Sequence, residues 1–173
     1  MADKDHVDLF LERFGERLPV MDLVVEGIVD RITGLSKRLH REMDETLEAF
    51  GLNSGESKVL GILWRGGEPH RASPGVLARV EDLSTGAMTN RLDRLEEAGF
   101  VRRLPDPDDR RAVQVELTEK GKRAWEKAIA AQAKKEALVA SALTDREKEQ
   151  LTKLLRKLML EYEKHGRDRP KSS

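Results

Sequence analysis

A mainly α-helical chain with one small β-hairpin is the fold class that this sequence predicts, on three observations. Apolar residues recur at three- and four-residue steps along most of the chain. One pair of short segments, 100–104 and 112–117, departs from that rhythm and flanks the stretch PDPDDRR. The composition agrees: 37% charged and only 4% aromatic residues suit long exposed or pairing helices better than a compact globule.

The same numbers exclude several classes of function. With 32 basic and 32 acidic residues the formal charge is zero, so net charge announces no polyanionic partner. There are no cysteines, which rules out disulfides and a thiol sensor, and the four histidines (His6, His40, His70, His165) show no metal-ligand spacing. Neither a metal nor a cofactor is expected. No serine sits in a glycine elbow, no phosphate-binding glycine loop occurs, and the carboxylates lie beside Lys and Arg on solvated helix faces, so no enzyme is expected either. The absence of a long apolar run or an export-type N-terminus points to a soluble, cytoplasmic protein without a membrane partner.

Taken in order, 7–17 reads as a short amphipathic helix with Phe10 and Phe14 four apart on one face, ended by Leu18-Pro19. Residues 21–50 carry Val25, Ile28, Ile32, Leu35, Leu39, Met43, Leu47 and Phe50 at helical steps, a long helix whose single apolar seam requires a cover. Gly51 closes it. Asn53 or Ser54 caps the next helix, 55–65, which buries Val59, Leu60 and Leu63 and stops at Gly66-Gly67. Ser73-Pro74 opens a short helix to about 82 with Val76, Leu77 and Val80 inward, and Arg71, Ser73 and Arg79 stand near its start and along it.

The stretch from Leu83 to Leu117 organises the rest. Ser84 is a good N-cap, and Leu83 with Met88 forms a hydrophobic staple. Met88, Leu92, Leu95 and Gly99 make one narrow buried stripe. The opposite side is polar: Thr85, Thr89, Asn90, Arg91 and Arg94 are donors and acceptors of the kinds that suit base edges and phosphates, and Gly86 lets a backbone approach closely. Gly99 ends the helix, the alternation Val113, Val115, Leu117 marks a half-buried strand, and the tip between the strands ends in Arg110 and Arg111. A short helix, a tight turn, a polar-faced second helix and a hairpin are the parts of a winged helix-turn-helix. Thr118 then caps a long helix to about 142, and Thr144 with Glu147 makes a capping box for a last helix, 145–164, striped by Leu151, Leu154, Leu155, Leu158, Met159 and Tyr162.

On STGAMTNRLDRLEEAGFVRR, on DPDDRR, which fits a D-x-x-D-R-R wing pattern through Asp106, Asp109, Arg110 and Arg111, and on LTEKG at the start of the next helix, the chain resembles the MarR family of bacterial transcription regulators. The resemblance covers roughly residues 8–164. It implies a homodimer that binds palindromic double-stranded DNA, with a wing arginine in the minor groove steadied by Asp106 or Asp109. Ser84, Thr85, Gly86, Thr89, Asn90, Arg91, Arg94, Asp109, Arg110 and Arg111 are the expected DNA-binding residues. The expected organisation is a dimerisation region at 1–50, a DNA-binding lobe at 51–117, a second dimerisation region at 118–165 and a disordered tail at 166–173.

The resemblance further implies a repressor released by a small anionic or aromatic effector. One branch of the family responds to urate, and the chain is similar to it in its extra N-terminal helix. Phe14, however, stands where that branch has a tryptophan, and Lys58 about where it has an aspartate, so an anionic aromatic compound held by Phe14 and Lys58 is expected instead. The competing reading is a helical protein-protein interaction module that uses its winged lobe without DNA. A protein-binding face would show aromatic or aliphatic anchors, which the polar face of 85–94 lacks.

Overall fold

A computed structural model describes residues 3–14, 17, 20–106, 109 and 112–167. The elements run α1 (His6–Phe14), α2 (Leu23–Glu48), α3 (Ser54–Arg65), β1 (Arg71–Ala72), α4 (Pro74–Val80), α5 (Thr85–Glu97), β2 (Val101–Pro105), β3 (Val113–Leu117), α6 (Glu119–Ala140) and α7 (Asp145–Arg167). The chain forms two compact units, Met1–Ala128 and Ile129–Ser173, divided within α6. The expectations placed on Leu18, Pro19, Pro107, Asp108, Arg110, Arg111 and 168–173 lie outside the described residues.

Each helix begins where a side chain meets the N–H groups that the first turn leaves unpaired. The Asp22 carboxylate accepts from Val24 and Val25, the Ser73 hydroxyl from Val76 and the Ser84 hydroxyl from Ala87. Asn53 and Glu56 exchange bonds of 2.9 and 3.0 Å in a full capping box at α3. A second box opens α7, where the Thr144 hydroxyl and N–H hold the Glu147 carboxyl below its ordinary range. Gly99 leaves α5 at φ +71, the left-handed conformation that glycine adopts without strain.

Three strands pair antiparallel in the order β1-β3-β2, where the sequence reading had two. The added strand, β1, is two residues long, too short to show an alternating pattern; Arg71 sits opposite Glu116 and Ala72 opposite Val115. In the hairpin, Val101 faces Leu117 and Pro105 faces Val113.

The core of the first unit lies where α3, α4 and α5 meet the sheet. Leu60, Leu63, Leu77, Met88, Leu92, Leu95 and Val115 are fully buried there, with Leu47 and Leu52 closing the side toward α2. Two of the three valines and leucines expected inside α4 are not: Val76 and Val80 are exposed, and Leu77 with Ala78 fills the core instead. The inward side of α4 is centred on Leu77 and Ala78, which turns Val76 and Val80 away from the core. Gly121 explains the glycine of LTEKG, since a Cβ there would stand 2.1 Å from the Phe100 carbonyl oxygen as the first turn of α6 crosses the root of β2. Thr118 clamps the same crossing by donating to the Gly99 carbonyl at 2.8 Å.

Outside that core the apolar seams stay open. In α2, Val25, Ile28, Ile32 and Leu35 are exposed, while Met43 and Phe50 near its far end pack against the core. In the second unit, α7 exposes Leu151, Leu154, Leu155, Leu158, Met159 and Tyr162. No helix among the described residues is long and apolar enough to cross a membrane.

Candidate nucleic-acid interface

α5 is held from behind by Met88, Leu92 and Leu95, which sets Thr85, Gly86, Thr89 and Asn90 on its outer face. A Cβ on Gly86 would meet nothing within 4 Å, so this stretch of backbone faces open space. Thr89 donates its hydroxyl hydrogen to the Thr85 carbonyl at 2.9 Å, which leaves its oxygen lone pairs outward. The Asn90 amide is exposed and keeps both its donor and acceptor functions for a ligand. Ser84, at the turn between α4 and α5, caps the helix and is exposed as well.

The two arginines of this helix divide. Arg94 donates from Nε to Glu56 at 3.0 Å while its side chain stays 58% exposed, so the outer nitrogens remain directed at solvent. Arg91, expected on the DNA-facing side, is placed otherwise. Its side chain is only 18% exposed, and its guanidinium bonds the Gly55 carbonyl at 3.3 Å and pairs with Glu81 at 3.4 Å. It lies so close over Gly55 that a Cβ there would approach it to 2.6 Å. Arg91 braces α5 against the starts of α3 and the end of α4; the helical wheel ranks it with its polar neighbours because periodicity registers the side of the helix, not the reach of a long side chain into the adjoining element.

Two acids of α5, Asp93 and Glu96, are likewise occupied. Arg103 on β2 reaches back to α5, bonding Asp93 at 2.6 Å and Glu96 at 2.6 Å, while its N–H donates to Glu96 at 2.8 Å. This ties the hairpin to the C-terminal half of α5, away from Thr85 to Asn90. Glu116 is a hub that the sequence reading missed. Buried at 7% exposure, it takes bonds from Arg71 and Arg102 across all three strands. Burial works against its charge, but the two guanidiniums outweigh it and hold the carboxyl below the usual range. Arg71 thus serves the sheet. The only advance signal was Glu116 itself, a charge at an otherwise apolar strand end.

At the hairpin tip, Asp106 accepts from the Asp109 N–H at 3.3 Å and from the Gln114 amide, and its own N–H donates to the Ala112 carbonyl at 3.0 Å. Asp106 therefore ties Asp109, Ala112 and Gln114 together across the described residues of the tip. The expected effector pair is not assembled in the same way. Phe14 stacks on Phe10 with ring centroids 5.0 Å apart and carries Arg13 at 5.5 Å, whereas Lys58 is exposed on α3. Neither lines the cleft of about 690 Å³ that opens between α1 and α2.

A short helix packed behind a polar-faced second helix, with a three-stranded wing braced to its end, defines a winged helix-turn-helix protein. The MarR family model matches residues 52–113. The chain is 32% identical to the transcriptional repressor YetL of Bacillus subtilis over 70% of its own length and 72% of YetL. It is 28% identical to the transcriptional regulator PecS of Dickeya dadantii over 90% of this chain and 93% of PecS. A cysteine-to-serine variant of MarR from E. coli complexed with operator DNA superposes with a TM-score of 0.60 at 28% identity, covering 84% of this chain and 96% of that one. The chain belongs to the MarR family of helix-turn-helix transcriptional regulators.

Proposed function

We propose that this protein is a cytoplasmic, homodimeric transcriptional repressor that reads a palindromic operator through α5 and the wing and is released by a small anionic or aromatic effector. One observation carries the DNA reading: the outer face of α5 displays Gly86, Thr89 and Asn90 to solvent, while the acids Asp93 and Glu96 farther along are neutralised by Arg103. A neutral chain thereby presents a locally uncontested polar face to a major groove, which fits the operator-bound MarR relative. In this reading Ser84, Thr85, Gly86, Thr89, Asn90 and Arg94 contact bases and backbone, Arg110 and Arg111 enter the minor groove, Asp109 with Asp106 shapes the tip, and Arg91 positions α5. Residues 51–117 form the DNA lobe, and 1–50 with 118–165 supply the dimer contacts. YetL, a repressor, supports the sign of regulation.

The test is fluorescence anisotropy with the DNA upstream of the protein's own gene and a scrambled duplex, at several salt concentrations. Arg110→Ala is expected to weaken both duplexes by similar factors and to lower the salt slope by about one unit. Asp109→Ala is expected to lower affinity at an unchanged slope. Wild-type protein without preference for any upstream fragment over the scrambled duplex overturns the reading.

A further inference from the structure

The stretch LTEKG, residues 117–121, does more than open α6. Where the chain leaves α5 it presents the carbonyls of Ala98, Gly99 and Phe100, beyond the reach of that helix's own ladder. The start of α6 takes up all three. Lys120 donates from Nζ to the Ala98 carbonyl at 2.6 Å. The one hydroxyl hydrogen of Thr118 is shared between the carbonyls of Gly99 at 2.8 Å and Phe100 at 3.1 Å, and the Thr118 N–H donates to Phe100 at 3.0 Å. The same hydroxyl oxygen accepts from the Gly121 N–H at 3.1 Å, so one side chain both caps α6 and holds the end of α5.

The residue types suit the task. A cation at the C-terminal end of a helix meets the negative end of its dipole. The Lys120 ammonium also lies 5.2 Å from the centroid of the Phe100 ring, which is buried in the core. The wing is rooted at the same place, because Val101 at the start of β2 pairs with Leu117 at the end of β3. Recognition helix, wing and the first turn of α6 are thus joined by one cluster of hydrogen bonds, with Gly121 allowing the close approach. From there α6 runs as one helix of 22 residues past Ala128, where the first unit ends.

We infer that Thr118 and Lys120 are positioning residues for operator reading: they fix the angle at which α5 leaves α6, and through it the half-site spacing that a dimer accepts. This rests on the dimeric regulator proposed above, in which neither residue touches DNA. The lever is long enough to matter. With 13 residues α5 is about 20 Å long, so a swing of about 10° at its C-terminal end carries its first turn about 3.4 Å, one base-pair step.

Fluorescence anisotropy on the full chain tests it, with the upstream fragment that the wild type prefers and the same fragment carrying one or two base pairs inserted at its centre. Wild type is expected to lose about tenfold or more on the two-base-pair insertion. Lys120→Met keeps the stem on Phe100 but removes the charged donor, and is expected to shrink that loss by about threefold. Thr118→Ala is expected to shrink it by about threefold or more, and Lys120→Arg and Thr118→Ser are expected to restore the wild-type loss. Melting temperatures are read on the same samples; Lys120→Met is a surface change and carries the test if Thr118→Ala fails to fold. Variants that lose the same factor at every spacing, or lose only melting temperature, show a merely structural role and overturn the assignment, as does a wild type indifferent to spacing. A wild type that prefers no upstream fragment over the scrambled duplex overturns the regulator reading and this assignment with it, whereas a clear preference with an unchanged spacing profile in Lys120→Met overturns the assignment alone.

Discussion

The lobe built from α3, α4, α5 and the sheet and the helices at the two chain ends solve the same problem in opposite ways. Both are striped with apolar residues at helical spacing. In the lobe the stripes close on one another, and Leu60, Leu77, Met88 and Leu92 retain at most 1% of their surface. Along α7 the stripe stays open, and Leu154 and Leu158 remain half exposed. The difference shows that an amphipathic pattern specifies a surface to be covered without specifying the cover. A lobe that completes its core alone can present a rigid polar face to DNA, whereas helices that do not keep an apolar surface exposed.

The contrast is broken first by truncating equivalent leucines. Leu92→Ala is expected to destabilise the protein by about 2–5 kcal/mol, because a fully enclosed site collapses poorly around the void. Leu158→Ala should leave a dissociated chain within about 0.5 kcal/mol of wild type, since water already covers half of that side chain. Denaturant titrations at several protein concentrations separate the two, and a large, concentration-independent loss for Leu158→Ala contradicts the comparison. Next in size is the assembly itself: Ile28→Glu with Leu158→Glu places charge on both open seams and is expected to yield a folded monomer by light scattering. A double variant that stays dimeric would mean that other surfaces join the copies.

Within the lobe, two adjacent residues sharpen the division between scaffold and reader. Arg91→Ala strips the partner from Glu81, a carboxylate only 14% exposed, and is expected to cost about 1–3 kcal/mol of stability. Asn90→Ala is expected to change stability by less than about 0.5 kcal/mol while reducing discrimination between operator and scrambled DNA by roughly 1–3 kcal/mol. Thermal melts and anisotropy on both variants read the two effects; reversed roles would place Arg91 in the groove after all.

The smallest effect is the pH dependence of the α1 clamp. Bonds from the Asp8 N–H and from Arg31 hold the Asp5 carboxyl at about 2, below its ordinary 3.8. A carboxyl depressed in the folded state stabilises that state above the ordinary value and ceases to do so as pH falls to the depressed one. Docking of α1 on α2 is therefore expected to be unchanged from neutrality to about pH 4 and to weaken between about 4 and 2. Asp5→Asn should remove that acid limb in hydrogen exchange of the α1 amides.

The sequence by itself determined where the helices begin and end, because caps and stops act within one turn: Ser84, Asn53, Thr144 and Gly99 each do in the structure what their residue types require locally. It determined the buried stripe of α5 for the same reason, since a 3.6-residue period is written in the chain itself. Only the tertiary structure decided what depends on residues far apart. β1 exists because β3 offers it an edge; Glu116 is tolerable inside because Arg71, 45 positions away, and Arg102 meet it there; and Arg91 turns inward because Gly55, 36 positions away, leaves room for its guanidinium. The clamp of α1 on α2 belongs to the same group: its acids, Asp5 and Asp8, lie 26 and 23 positions from Arg31 and meet it only when the two helices are packed. Local geometry is encoded within a few residues, whereas the pairing of charges across a fold depends on which faces the core brings together.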